Sequence, residues 1–212
     1  METESLKQRP VFPTTPRYQL AKQRAWQLLL ALDVSALPFD PFDVLATLGV
    51  NVLSYSELMR QSRCTFEDAR ILTRSREGGL FLFGGQWCFL YNDFCPWPER
   101  VRWTAAHELA HYLLGHLLDY TAGQLDAAPK AVRAAIERES DACAAELLAP
   151  LCILYAIGAT DAETIRRVCH ISRSAAEKCE HFFQYVHGRY YLCREEVLLC
   201  QHFQPFLGGS VA

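Results

Sequence analysis

The chain has 212 residues, half of them hydrophobic, and a formal net charge of −3. That length and composition suffice to bury a core, while the mild acidity argues against a protein that lives on nucleic acid. No apolar run approaches the ~18 residues that a membrane helix needs.

Residues 1–17 hold three prolines and mixed charges and read as a flexible tail. From Gln19 to Leu32, Leu20, Ala21, Ala25, Trp26, Leu28, Leu29 and Leu32 form an apolar stripe at helical spacing. Pro38 and Pro41 break it. A second helix follows, with Asp40 as N-cap, Pro41 in the first turn and Gly49 as the stop. Val50 to Tyr55 alternates like a strand, and the polar segment 56–76 reads as helix or loop. Gly79 to Tyr91 is a hairpin, two aromatic-rich runs around Gly84-Gly85, in which Phe81, Phe83 and Phe89 are expected to pack in the core. Pro96 and Pro98 lead into a long helix. A polar stretch from Asp119 to Ala128 precedes another, opened by Pro129 and stopped at Pro150. Two shorter helices begin at a capping box, Thr160-x-x-Glu163, and at Ser172 or Ser174. The turn 169–172 between them gives a helix–turn–helix outline, and residues 188–207 are expected to close the chain as a hairpin.

Nine cysteines suggest a disulfide framework at first sight. The odd count, the chain length and an N-terminus without the apolar core of a signal peptide favour reduced thiols in a cytoplasmic protein instead. No Cys-x-x-Cys pair occurs, so a thiolate metal site is disfavoured and the cysteines read as small core residues.

Chemistry concentrates in the long helix, which contains His107-Glu108-x-x-His111. Positions four apart share a helix face, so both imidazoles can reach one zinc ion about 2.1 Å from each nitrogen. Glu108 is one step round the helix, placed to accept a proton from water rather than to ligate. A third ligand has to come from elsewhere, and Glu137, Glu139 and Asp141 on the following helix are the candidates. Residues two apart on a helix point to different sides, so Glu137 and Glu139 cannot both face the metal, whereas Glu137 and Asp141 share a face. That spacing suggests Glu137 as ligand, Asp141 as the hydrogen-bond partner of a ligating His, and Glu139 turned to solvent. The plainer alternative is that all three acids form a solvated face.

Two motifs carry a family resemblance. Arg102-x-x-Ala105-Ala106-His107-Glu108-Leu109-Ala110-His111-Tyr112-Leu113-Leu114-Gly115-His116, followed by the run from Glu137 to Pro150, resembles the ImmA/IrrE family of metallo-endopeptidases. Leu90 to Asp93, the run from Phe39 to Val50 and Ile171 to Ala176 are similar to it as well. Ala110, Ser140, Cys143 and Ala149 depart from the family's usual Gly, Ala, Phe and Met, and none removes a ligand or the base.

The resemblance implies an α+β, zincin-like metallopeptidase domain over 18–159, with a small antiparallel or mixed sheet packed on the motif helix. A helical, helix–turn–helix-like extension with a short hairpin over 160–212 would pack on the same domain. It also implies one zinc ion per chain on His107, His111 and Glu137, with Glu108 as catalytic base. The expected substrate is a helix–turn–helix (XRE-type) repressor or antitoxin, whose cleavage would derepress genes of mobile elements or stress responses. Tyr91, Asn92, Tyr112 and His116 are candidate substrate contacts, with Tyr120 a further candidate for the oxyanion. The competing readings are a DNA-binding regulator using Arg166, Arg167, Arg173 and Lys178, and a binding protein with a structural metal.

Overall fold

The computed structural model describes residues 13–116, 128–186 and 190–209. Its first helix, α1 (Tyr18–Ala31), buries the predicted stripe of Ala21, Ala25, Trp26, Leu28 and Leu29. In α2 (Pro41–Thr47), the Asp40 carboxylate accepts from the Phe42 backbone N–H, as an N-cap should. After strand β1 (Asn51–Ser54), the polar segment forms two short helices, α3 (Tyr55–Gln61) and α4 (Phe66–Thr73). Each opens on a capping box, Ser54 with Glu57 and Thr65 with Asp68.

Strands β2 (Gly78–Phe83) and β3 (Gln86–Tyr91) form the hairpin, and Gly84 and Gly85 at its tip take φ of 58° and 82°. Two successive positive φ values define a turn that glycine enters without a Cβ clash. β3 is central: β1 runs parallel to it and β2 antiparallel, giving a mixed three-stranded sheet. Phe89 is fully buried and Phe81 half-buried, but Phe83 is 73% exposed at the hairpin tip, against the expectation that it packs in the core.

The two motifs fall on α5 (Pro98–Leu113) and α6 (Lys130–Leu148). Gly115, at φ 73°, follows the end of α5 as its left-handed stop. Helix α6 packs between α1 and α5, and the sheet lies on α5. Small residues make the close approach possible: Ala21 and Ala25 on α1, Ala105, Ala106 and Ala110 on α5, and Ala135, Ser140, Cys143 and Ala144 on α6 are all buried. A buried carboxylate ties α1 to α6, where Glu146 accepts from the Trp26 indole at 3.0 Å and meets Lys22 at 3.2 Å.

The remaining helices are α7 (Leu151–Ala156), α8 (Ala162–Cys169), α9 (Arg173–Val186), α10 (Arg194–His202) and α11 (Gln204–Gly209). Two expectations are corrected here. The cap of α8 is Asp161, whose side chain accepts from Thr164 N–H, rather than Thr160. The expected closing hairpin is helical from Arg194 onward, because Glu196 folds back onto the Cys193 N–H and opens a helix that buries Leu199. The whole is a mixed α+β structure, its nine cysteines are free thiols, and no described helix is long and apolar enough to cross a membrane.

Candidate metal centre

One turn of α5 sets His107 and His111 on the same face, and α6 crosses that face so that Glu137 comes opposite both. The two Nε2 atoms are 3.0 Å apart, and Glu137 places Oε2 3.2 Å from His107 Nε2 and Oε1 3.8 Å from His111 Nε2. Ligands ~2.1 Å from a tetrahedral ion stand ~3.4 Å from one another, so these three side chains fit one such ion. Among the described residues, this is the group of His, Cys, Asp and Glu side chains that could hold a metal. Glu137 remains 60% exposed, which leaves the site open to solvent on one side.

Asp141, one turn beyond Glu137, sets Oδ1 3.1 Å from His107 Nδ1. Behind His111 the arrangement is different. His116 Nδ1 lies 3.2 Å from His111 Nδ1, and Nε2 of the same ring is 3.1 Å from Glu139 Oε2. Glu139 is therefore not turned to solvent, as expected from the sequence, but fully buried. It accepts from the Arg17 backbone N–H at 2.7 Å, from Arg17 Nε at 2.8 Å and from Arg17 Nη2 at 2.8 Å. Pointing away from Glu137 means pointing into the α1 side of α6, which is core rather than water.

The electrostatics separate the two imidazoles. Burial pulls His107 down, but the Asp141 and Glu137 carboxylates outweigh it and raise the ring to about 9. Burial, with His107 beside it, takes His111 down to about 3. Burial pushes Glu108 up to about 7 against the pull of His107, while the Leu80 backbone N–H on β2 hydrogen-bonds its carboxylate. A carboxylate poised near neutrality on the metal-facing helix suits general-base work. Glu137 is held below the usual carboxylate range by its hydrogen bond with His107.

The other candidate residues divide. Tyr91 packs edge-on to Phe42, and Tyr112 edge-on to Trp87, both half-buried. Asn92 is occupied in a turn, donating to the Arg76 carbonyl and accepting from Phe94 N–H, and His116 is buried behind His111, so neither faces a substrate. Tyr120 lies outside the described residues. In the helix–turn–helix outline, Arg166 pairs with Glu163 and Arg173 with Glu177, so half of the basic set is neutralised on its own helices. Sequence reasoning missed the part played by Arg102, which donates to the carbonyls of Cys169, His170 and Phe39 and so ties α5 to the α8–α9 turn. It missed Arg17 as well, for which the sequence offers no signal.

A search of curated proteins returns no match to this chain. Residues 96–180, running from the start of α5 into the middle of α9, match the model of a peptidase family, Peptidase_M78. The match agrees with the resemblance carried by the two helical motifs and supports peptidase activity. Over those residues, less than half of the chain, the sequence is similar to the IrrE N-terminal-like domain of the Peptidase_M78 family.

Proposed function

We propose that this chain is a zinc-dependent endopeptidase with a zincin-like centre, in which His107, His111 and Glu137 hold one ion and Glu108 is the catalytic base. The observation that carries this reading is the convergence of three ligand atoms within 4.8 Å beside a carboxylate raised to about 7. A zinc ion bound there would lower the pKa of a water towards ~7 and polarise the scissile carbonyl. Glu108 takes the proton of the attacking water and delivers it to the leaving amine. Asp141 accepts from His107 Nδ1–H and so fixes the tautomer that presents Nε2.

β2 lies at the end of the sheet with β3 on one side only, and its Leu80 N–H reaches Glu108. An extended peptide added along that edge by backbone pairing would run past the base. The exposed Leu82 and Phe83 at the tip of the same strand offer it an apolar contact. The family resemblance makes a helix–turn–helix repressor or antitoxin the substrate of choice.

The test is co-expression with a candidate repressor encoded nearby, followed by mass analysis of its fragments. Glu108→Gln should keep its zinc and lose cleavage by at least ~100-fold, in line with the size of general-base effects. Full cleavage by Glu108→Gln would remove Glu108 from the role.

A further inference from the structure

Residues far apart in sequence meet in an unbroken line behind His111. Arg17 grips both oxygens of Glu139, 122 positions away, with its backbone N–H, Nε and Nη2, all within 2.8 Å. Glu139 Oε2 meets His116 Nε2 at 3.1 Å, and His116 Nδ1 meets His111 Nδ1 at 3.2 Å. With His116 neutral, the donors and acceptors along this line follow from Glu139, and Ser140 Oγ, 3.2 Å from His116 Nδ1, can donate to that same nitrogen. A carboxylate only accepts, so His116 must carry its proton on Nε2 and donate it to Glu139. That leaves His116 Nδ1 as an acceptor, so His111 carries its proton on Nδ1 and presents Nε2 with a lone pair. Glu139 is fully buried and His116 is 3% exposed, so water does not compete for either partner.

We propose that Arg17, outside the family-matched segment 96–180, is a positioning residue of the metal centre, acting through Glu139 and His116 to fix the tautomer and ring orientation of His111. This rests on the zinc-site reading given above. His107 has a solvent-exposed partner in Asp141, whereas His111 is held by a buried line that ends on the segment leading into α1. Arg17, just ahead of α1, is thereby wired to the motif helix, and displacing it would loosen one ligand without touching the site itself.

The experiment measures zinc affinity by chelator competition in the full chain, for wild type, Arg17→Ala, Arg17→Lys, Glu139→Gln and Trp26→Phe. Outer partners of ligating histidines typically matter 10- to 100-fold in metal affinity, so Arg17→Ala and Glu139→Gln should bind zinc at least about tenfold more weakly. Arg17→Lys should recover part of the loss. Trp26→Phe, which removes the Trp26–Glu146 bond in the same α1–α6 interface, controls for loosened packing and should bind zinc as wild type does. The visible spectrum of the cobalt-substituted protein should shift in Arg17→Ala and not in Trp26→Phe. Equal affinities in wild type and Arg17→Ala, or equal losses in Arg17→Ala and Trp26→Phe, would overturn the assignment while leaving the zinc site standing. A wild type that binds no zinc would sink both.

Discussion

His107 and His111 are one helical turn apart, yet they are held by opposite means. His107 leans on Asp141, a carboxylate 56% exposed and hydrogen-bonded at 3.1 Å. Its raised pKa follows from that partner and from Glu137. His111 is buried, pressed towards the neutral form, and oriented by another buried ring. Asp141→Asn keeps the shape but removes the charge that favours the Nδ1–H tautomer of His107. Zinc affinity should fall by about tenfold on that change, within the usual range for such partners. Calorimetric titration of zinc into Asp141→Asn checks this, and an unchanged affinity would show that Asp141 is only a neighbour. That Glu137 and Asp141 share a helix face was legible from their spacing, but which histidine Asp141 would meet was not. Nor was the destination of Glu139. Helical periodicity says which way a side chain points, but not whether core or water waits there.

At the scale of elements, α6 is the pivot, with α5 and its histidines on one side and α1 on the other. Its buried Glu146 carries a cost that depends on pH. Burial raises this carboxyl above its ordinary 4.5, while Lys22 and Trp26 pull it back only in part. The folded state therefore holds the proton more tightly than the unfolded chain does. Below about 4.5 both states are protonated and the group is neutral in its effect, and as pH rises through the folded value stability is lost. Glu146→Gln keeps an acceptor for the Trp26 indole and has no proton to lose. Its stability relative to wild type should thus improve as pH rises from 4.5 to 8, measured by urea unfolding at both values. A difference that stays flat with pH would contradict this account. On α5, Arg102 holds three carbonyls from two other segments. Arg102→Ala should cost about 2 kcal/mol in the same unfolding assay, the scale of hydrogen bonds from a charged donor. The helices were readable because stripes and caps are local, as Asp40 and Pro41 show. The C-terminal segment misled because Tyr190 to Cys193 is a short apolar, aromatic run of the kind found in strands, while Glu196 closing on the Cys193 N–H starts a helix.

Across the whole molecule, the family-matched segment carries the proposed ligands and base, and contacts both within it and from the rest of the chain hold them in place. The sheet brings β2 alongside Glu108, α1 delivers Arg17 to Glu139, and the α8–α9 turn braces α5 through Arg102. Those long-range contacts have no local sequence signature, which is why the motif residues were readable and their supports were not. The most direct measurement is the metal content of the purified protein by inductively coupled plasma mass spectrometry, beside Glu137→Ala. The account predicts about one zinc per wild-type chain, from three protein ligands with one open position, and little or none in Glu137→Ala. No divalent metal in the wild type after zinc is added back, or equal zinc in both proteins, would contradict it.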